Sequence, residues 1–189
     1  GAGAEEFAKE QGLEMVEDNM YFATPKTMEW IEKLKQESKK NGTVGCVVLD
    51  KQGNLTAGTS TGGMFKKRWG RIGDSPVIGA GTYADNNSCA VSCTGHGEYF
   101  IRHAVAFDVC ARYKYLKESV EKAADYIIHT ELNTNAGNGG LIAVDKLGNI
   151  AMPYNSGGMF RGFLYKEKGS PEIKKGCGIG KKIVVVGEK

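Results

Sequence analysis

Hydrophobic and polar positions divide the chain into a helical first part and a strand-rich second part. Residues 4–12 have the spacing of a short amphipathic helix with Phe7 and Ala8 on its inner face, and Thr24 is the predicted N-cap of a second helix. Residues 35–42 contain no hydrophobic side chain, so they gain little from burial and we expect them to be loose. This segment is either an ordinary linker or a loop at which the chain is processed.

Two β-hairpins with almost the same pattern are predicted after residue 42. In the first, strands at 44–49 and 55–61 flank a polar turn in which Gly53 takes the position that favours a positive φ. The same signature recurs over 141–150, and each hairpin leads to a Gly-Gly-Met-Phe sequence. We therefore expect two similar hairpins in stacked or adjacent sheets, since two copies are too few for a repeat array.

The rest of the chain alternates between strands and helices. The predicted elements are strands at 77–84 and 89–94, helices at 97–117 and 119–132, a flexible loop at 133–140, and late strands at 163–165 and 183–186. Strands, a pair of helices and strands again are typical of a layered α+β domain.

Composition narrows the function classes only slightly. The chain has 189 residues, enough for one sizeable core, and its net charge of +3 is too small to indicate nucleic acid or a membrane surface as a partner. Its 5 cysteines include no CxxC pair, which argues against a disulfide framework or a structural zinc site. Because the sequence begins with Gly1 and not with Met, we expect a piece of a longer protein, so the choice between cytoplasm and periplasm stays open.

Three glycine-punctuated stretches are candidates for ligand binding. They are residues 59–64, 70–76 and 93–98. Each could be an ordinary turn, because glycine is the usual residue where the backbone needs unusual dihedral angles. The functional alternative is that these glycines let a ligand approach the backbone closely.

Two of these stretches carry side chains suited to an amino-acid substrate. A guanidinium such as that of Arg71 binds a carboxylate through two parallel hydrogen bonds, and a carboxylate such as that of Asp74 receives an ammonium. The alternative is that these two side chains pair with each other at a surface turn. Thr94-Gly95 follows a predicted strand and could donate to a developing oxyanion, or Thr94 could be an ordinary helix N-cap.

An ordered set of motifs is similar to a known family. The set consists of Thr43-Val44-Gly45, Thr59-Ser60-Thr61-Gly62-Gly63, Gly70-Arg71-Ile72-Gly73-Asp74-Ser75-Pro76, Gly79-Ala80-Gly81 and Thr94-Gly95-His96-Gly97-Glu98. In this order it resembles the plant-type (Ntn-hydrolase) asparaginases, also called isoaspartyl peptidases. The match covers residue 43 to about residue 165, and residues 3–42 resemble the end of the family's α subunit.

The resemblance implies a chain that cuts itself. Family members cleave between a Gly and a Thr, here Gly42 and Thr43. Residues 1–42 would then be the C-terminal part of an α subunit that ends in a flexible processing linker, and residues 43–189 would be the catalytic β subunit. The implied fold is the αββα sandwich of Ntn hydrolases, which stays incomplete in this chain without the rest of the α subunit.

The resemblance also implies a role for each site residue. Thr43 would be the nucleophile, Thr61 would hydrogen-bond its hydroxyl, and Thr94 with Gly95 would form the oxyanion hole. For the substrate, Arg71 would hold the α-carboxylate and Asp74 the α-amine, with Gly97 near that amine.

The proposed cut has a physical reason. A threonine hydroxyl is a poor nucleophile unless a base takes its proton, and the amide nitrogen of an internal threonine is no base. A terminal amine has a pKa of roughly 7.7–8.0, so a fair fraction is neutral at working pH. Cleavage before Thr43 would therefore create the base on the nucleophile's own residue, so no histidine is required.

The resemblance implies an amidohydrolase that acts on small substrates. It would hydrolyse the side-chain amide of L-asparagine and β-aspartyl dipeptides through a β-aspartyl ester on Thr43, and would associate as an (αβ)₂ heterotetramer without nucleic acid or membrane. No cofactor is implied, apart from a structural Na⁺ in an α-subunit loop outside this sequence. Two alternatives remain, a glycosylasparaginase and an inactive fragment. The run Ser60-Thr61-Gly62-Gly63 favours the asparaginase over the glycosylasparaginase.

Overall fold

The chain forms two compact units, Gly1–Lys40 and Asn41–Lys189. The computed structural model describes residues 2–25, 28–29, 41–64, 67–166, 173–179 and 184–187. Most of the predicted loose segment lies outside these residues. Its last two residues, Asn41 and Gly42, are the first two residues of a β-strand, so the predicted loop ends earlier than the sequence suggested.

The first unit begins with helix α1, Ala2–Glu10. The helix ends at Glu10, and Gly12, the expected stop, follows it with φ +68°. Phe7, which was expected on an inner face, is 60% exposed. No described residue of this unit is buried, so none of these residues provides a core against which Phe7 could pack. A 3₁₀ turn follows at Asn19–Phe22. The predicted second helix begins with a bond from the Met28 amide to the Thr24 carbonyl oxygen (2.9 Å), and the rest of it is outside the described residues.

The described residues of the second unit form three antiparallel sheets. A two-stranded sheet consists of β1 (Asn41–Leu49) and β2 (Leu55–Met64). A four-stranded sheet consists, in spatial order, of β3 (Thr82–Ala84), β4 (Cys89–Gly95), β5 (Gly139–Asp145) and β6 (Ile150–Ala151). A third sheet consists of β7 (Phe160–Lys166), β8 (Ile173–Ile179) and β9 (Val184–Gly187). The chain is therefore of the α+β class.

The described helices of the second unit lie between β4 and β5 in the chain. They are α2 (Gly97–Arg102), α3 (Val105–Ala111), α4 (Val120–Tyr126) and α5 (Leu132–Thr134), with π-helical turns at Arg112–Leu116 and Ile127–Glu131. The helix predicted at 119–132 starts at the expected residue, because the Ser119 side chain accepts a hydrogen bond from the Lys122 amide. Helical residues also extend into the predicted loop at 133–140, and Gly139 and Gly140 already belong to β5.

The structure differs from two predictions, the helix at 97–117 and the strand at 77–84. Both differences arise where the start of α3 contacts the segment before β3. Ala104, with φ +45°, breaks the helix, so the first amides of α3 are free to donate elsewhere. The amides of Ala106 and Phe107 donate to the carbonyl oxygens of Ala80 and Gly79, at 3.1 and 2.8 Å. This docking holds the segment before β3 as turns, and only Thr82–Ala84 forms a strand.

Strand β4 lies between two layers and serves both. Cys89, Val91 and Cys93 are buried in a core shared with the helices. The alternate residues point to the opposite face, where Ala90 packs against the β1–β2 hairpin and Ser92 hydrogen-bonds to it. The second unit is thus layered, with the hairpin on one face of the four-stranded sheet and the helices on the other.

The two predicted hairpins are confirmed, and their turns use the same hydrogen bonds. The carboxylate of Asp50 accepts two backbone amides and the side chain of Asn54, and the carboxylate of Asp145 does the same with Asn149. The hairpins lie in separate, stacked sheets. Residues from both sheets form one small core: Leu55, Ala90 and Val144, with Val47, Leu49, Ala57 and Ile150 against it.

The C-terminal sheet is only partly predicted by the hydrophobic pattern. The strand at 163–165 is confirmed within β7 and the strand at 183–186 within β9, although residue 183 itself is outside the described residues. Strand β8 was missed, because its sequence Ile-Lys-Lys-Gly-Cys-Gly-Ile has no clear alternation. Within the described ranges, no helix has both the length and the apolar character needed to cross a membrane.

Candidate active site

A chain of hydroxyl hydrogen bonds surrounds the peptide bond between Gly42 and Thr43. The Thr43 hydroxyl donates to Thr61 Oγ1 at 3.2 Å, and the Thr61 hydroxyl donates to the carbonyl oxygen of Gly42 at 2.7 Å. The backbone amide of Gly63 also donates to Thr61 Oγ1, at 3.0 Å, which fixes the orientation of that side chain. The predicted nucleophile and the carbonyl group beside it therefore share one hydroxyl partner.

A β-bulge produces this arrangement. Gly42 lies opposite Gly63 and Thr43 lies opposite Thr61, so Gly62 is an extra residue in β2. Bulges turn side chains out of the regular alternation and are common beside active sites. Gly63 has φ +81°, a conformation that glycine adopts at little cost. The Gly62-Gly63 pair in the sequence thus has a structural role, which is to bring the Thr61 hydroxyl to the Gly42 carbonyl group.

Thr94 lies at the same end of the layered unit as the Thr43 hydroxyl. Gly45 of β1 and Thr59 of β2 both lie against Ser92 of β4. One alternation step further along each strand leads to Thr43, Thr61 and Thr94 on the facing surfaces of the two sheets. Within the described part of the chain, no hydrogen bond joins Thr94 to Thr43.

Gly95 occupies a position that admits no side chain. Its φ is +147°, and a Cβ atom built there would lie 2.7 Å from Gly139 Cα and 2.8 Å from Phe100 Cε2. The next amide, of His96, donates to the carbonyl oxygen of Asn138 at 2.9 Å. The end of β4 is therefore held rigidly against the chain segment that leads into β5.

Arg71 pairs with Glu98, and its partner is not Asp74. Arg71 Nε donates to Glu98 Oε1 and Nη2 donates to Glu98 Oε2, both at 2.8 Å. This pairing lowers the pKa of Glu98 to about 2 and raises the pKa of Arg71. His96 Nε2 lies 3.4 Å from Glu98 Oε2. The alternative reading, a surface pair between Arg71 and Asp74, is therefore wrong.

Asp74 is buried without a complete set of hydrogen-bond partners. Its residue is 5% exposed, and Oδ2 has no hydrogen-bond partner among the described residues. Burial raises the pKa of Asp74, although the nearby Arg71 charge partly offsets this. A buried carboxylate with an open acceptor oxygen is suited to receive a cation such as an ammonium group.

Two glycines leave room for the Asp74 side chain. A Cβ atom built at Gly97 would lie 2.8 Å from Asp74 Oδ1, and one built at Gly81 would lie 2.8 Å from Asp74 Oδ2. Gly97 is buried at the start of α2, so any larger residue there would displace the carboxylate. The structure thus brings Gly97 and Asp74 together.

The Gly81 peptide connects two sets of residues, the charged group (Arg71, Asp74 and Glu98) and the hydroxyl-bearing residues (Thr43, Thr59, Thr61 and Ser92). Its amide donates to the carbonyl oxygen of Asp74 at 3.1 Å. Its carbonyl oxygen accepts from the Cys93 amide at 2.9 Å and from the Thr59 hydroxyl at 3.1 Å. Thr59 also shares a 2.6 Å bond with Ser92, which ties the hairpin to β4.

Sequence reasoning missed three polar residues of this region. Glu98 belongs to the motif at 94–98, but no role was predicted for it. Thr59 and Ser92 were not predicted to form a bridge between the sheets. The charge of Glu98, beside a glycine-rich turn, was the signal that could have drawn attention to it. Among the described residues, no group of three or more His, Cys, Asp or Glu side chains is arranged to hold a metal ion.

Comparison with known proteins identifies relatives over most of the chain. An isoaspartyl peptidase of Salmonella typhimurium is 46% identical, over 87% of this chain and 57% of its own length. An isoaspartyl peptidase of Escherichia coli is 42% identical, over 89% of this chain and 60% of its own length. An isoaspartyl peptidase/L-asparaginase of Mus musculus is 43% identical, over 84% of this chain and 51% of its own length.

The chain thus spans 51–60% of the length of these relatives. A sequence profile of the family described as "Asparaginase" matches residues 1–173. Since that match includes both β1 and the residues of the charged group, this chain belongs to the asparaginase family.

Proposed function

We propose that this chain carries the catalytic part of a self-cleaving amidohydrolase that acts on L-asparagine and on β-aspartyl dipeptides. The observation that carries the proposal is the hydroxyl chain from Thr43 through Thr61 to the Gly42 carbonyl oxygen. The names of the relatives, isoaspartyl peptidase and L-asparaginase, support the substrate class.

The first step is cleavage of the chain itself. The Thr43 oxygen attacks the Gly42 carbonyl carbon, while the Thr61 hydroxyl, 2.7 Å from the carbonyl oxygen, stabilises the charge that develops there. The bond from the Gly42 carbon to the Thr43 nitrogen breaks, and the nitrogen takes up the proton lost by the hydroxyl. Water then hydrolyses the resulting ester, which leaves a carboxylate on Gly42 and a free amine on Thr43.

The second reaction uses the same oxygen with its new base. The neutral amine of Thr43 takes the hydroxyl proton, and the oxygen attacks the side-chain carbonyl carbon of the substrate. Thr94 and Gly95 stabilise the oxyanion, the carbon–nitrogen bond breaks, and the nitrogen takes the proton, so that ammonia leaves from L-asparagine and a free amino acid leaves from a β-aspartyl dipeptide. Water hydrolyses the β-aspartyl ester and restores Thr43.

The charged group of residues would bind the α-substituents of the substrate. Arg71 faces the α-carboxylate, and Asp74, whose Oδ2 has no partner among the described residues, receives the α-ammonium. Gly97 lies against Asp74 Oδ1 and leaves room for the carboxylate that would receive that ammonium group. This arrangement fits a substrate with a free amino-acid head group, which both L-asparagine and β-aspartyl dipeptides have.

The larger assembly is part of the same proposal. The rest of the α subunit would complete an αββα sandwich over the hairpin and would hold the structural Na⁺, and two αβ pairs would form an (αβ)₂ heterotetramer. The layered arrangement of hairpin, sheet and helices supports the sandwich. That the reaction itself needs no cofactor remains a prediction.

Cleavage is tested by comparing the wild type with Thr43→Ala after long incubation. The wild type should give two bands on a denaturing gel, and the N-terminus of the larger fragment should be Thr43. Thr43→Ala should remain one chain and should hydrolyse neither L-asparagine nor a β-aspartyl dipeptide, because it lacks the attacking oxygen.

Thr56→Ala is the matched control, since Thr56 is an exposed residue of β2 outside the site. An intact, active wild type, or an active Thr43→Ala variant, would refute the assigned nucleophile. Hydrolysis of a glycosylated asparagine in preference to both test substrates would refute the assigned substrate class.

A further inference from the structure

We propose that Glu98 is a positioning residue that holds Arg71 and Asp74 apart as two separate subsites, one for the α-carboxylate and one for the α-ammonium of the substrate. The proposal rests on the proposed function, because it concerns how the same substrate is bound. Glu98 itself does not touch the substrate and acts through the Arg71 guanidinium.

The bond between Glu98 and Arg71 leaves one edge of the guanidinium open. A guanidinium has five N–H groups, one on Nε and two on each terminal nitrogen. Glu98 takes one from Nε and one from Nη2. Nη1 has no hydrogen-bond partner among the described residues, so the edge formed by Nη1 and the second N–H of Nη2 can bind another carboxylate through two hydrogen bonds.

Without Glu98, the two substrate-binding charges would neutralise each other. Asp74 interacts electrostatically with Arg71, and its buried Oδ2 has no partner in the described part of the chain. A guanidinium released from Glu98 can turn toward this carboxylate, since a charged hydrogen bond in a buried site is strong. In such a pair, Arg71 would no longer be available to bind the α-carboxylate, and Asp74 would no longer be available to bind the α-ammonium.

Both Glu98 and Arg71 remain charged over the working pH range, so the bond between them is constant. The pKa of Glu98 is about 2 and that of Arg71 is raised. Glu98 is also the second residue of α2, which begins at Gly97, and Gly97 lies against Asp74. One turn of helix thus carries both the residue that orients Arg71 and the residue that leaves space at Asp74.

The test compares wild type and Glu98→Gln in the full chain. Glutamine has nearly the same shape, but it is uncharged and its NH₂ group cannot accept from the guanidinium. We expect the Kd for L-aspartate, measured by calorimetry, and the KM for L-asparagine to rise roughly ten- to hundredfold. The kcat value and the rate of self-cleavage should change little, because Arg71 binds a part of the substrate that does not react.

Two further variants separate positioning from a structural effect. Glu121 occupies the same second position in α4 and forms no ion pair within the described part of the chain, so Glu121→Gln should leave Kd and KM unchanged. In the Arg71→Ala background, Glu98→Gln should have no further effect on Kd, because the residue that it positions is gone. If Glu98→Gln fails to fold, Glu98→Asp gives the same comparison, since it keeps the charge but is too short to bind both nitrogens.

The outcomes distinguish the two proposals. An active wild type with an unchanged Kd in Glu98→Gln overturns this inference alone. A Kd that worsens equally in the Arg71→Ala background shows that Glu98 acts independently of Arg71, which also overturns it. A wild type that neither cleaves itself, hydrolyses substrate nor binds L-aspartate refutes the proposed function and this inference with it.

Discussion

At the scale of single residues, the geometry of the charged residues depends on where glycine leaves space. Gly73 is the clearest case, because a Cβ atom built there would lie 2.8 Å from Arg71 Nη1. Nη1 belongs to the guanidinium edge that Glu98 leaves open. The glycine therefore determines where that edge can lie.

Substituting Gly73→Ala should weaken substrate binding without unfolding the chain. The obstructed atom is the tip of a flexible side chain, so Arg71 can move and the stability should change by about 0.5 kcal/mol or less. The open edge moves with it, and we expect roughly tenfold weaker L-aspartate binding by calorimetry. The control is Gly157→Ala, since a Cβ atom at Gly157 meets nothing within 4 Å. Wild-type binding by Gly73→Ala would show that Nη1 is not part of the substrate subsite.

At the scale of secondary-structure elements, those defined by local sequence patterns could be predicted, whereas those shaped by contacts with distant parts of the chain could not. The two hairpins were predicted correctly, because each turn is closed by an Asp carboxylate four residues before an Asn. The break at Ala104 was not, since it depends on carbonyl oxygens at Gly79 and Ala80 that the sequence does not bring into view. A helical pattern says where a helix can form, but not where its free amides will find partners.

The candidate site shows the same division. The hydroxyl residues Thr43 and Thr61 could be named from motifs, and their hydrogen bond lies within one hairpin. The partner of Arg71 could not be named, because Glu98 is 27 residues away in sequence and reaches it only through the fold. The nearby Asp74 was the candidate by spacing, but Nε and Nη2 of Arg71 both donate to Glu98.

The packing of the hairpin on β4 leads to a prediction about Gly45. A Cβ atom built at Gly45 would overlap Ser92 Oγ and would lie 3.0 Å from Ser92 Cβ. Ser92 cannot move freely because it shares a 2.6 Å hydrogen bond with Thr59. Gly45→Ala should therefore force the two sheets apart and lower the free energy of unfolding by about 1–3 kcal/mol.

Gly58 provides a matched control within the same hairpin. It lies in β2, and a Cβ atom built there would meet nothing within 4 Å. Gly58→Ala should therefore be neutral or should stabilise the fold by up to about 1 kcal/mol, because it restricts the unfolded chain. Urea denaturation of both variants would measure the difference. Equal midpoints would show that the contact between Gly45 and Ser92 does not set the sheet separation.

At the scale of the whole second unit, the site lies where the layers end. The fully buried core between sheet and helices includes Val91, Val109 and Ile127, all 0% exposed. The peptide bond between Gly42 and Thr43 lies near the N-terminal end of β1, where β1 pairs with the C-terminal end of β2. A cut there removes two residues from the N-terminal end of β1 and leaves the central core intact.

Cleavage should therefore loosen one edge of the unit and nothing else. It would free Gly42 from its pairing with Gly63 and would remove the 2.7 Å bond that the Gly42 carbonyl oxygen accepts from Thr61. Hydrogen exchange followed by mass spectrometry should show faster exchange in peptides that contain residues 62–64 in the cleaved wild type than in uncleaved Thr43→Ala. Peptides from β4 and α4 should exchange at the same rate in both, because their amides are protected by a core that the cut does not reach.

Two results would contradict this prediction. Faster exchange throughout the unit would mean that the segment before Thr43 holds the layers together. Unchanged exchange at 62–64 would mean that the cut end stays paired and blocks the site.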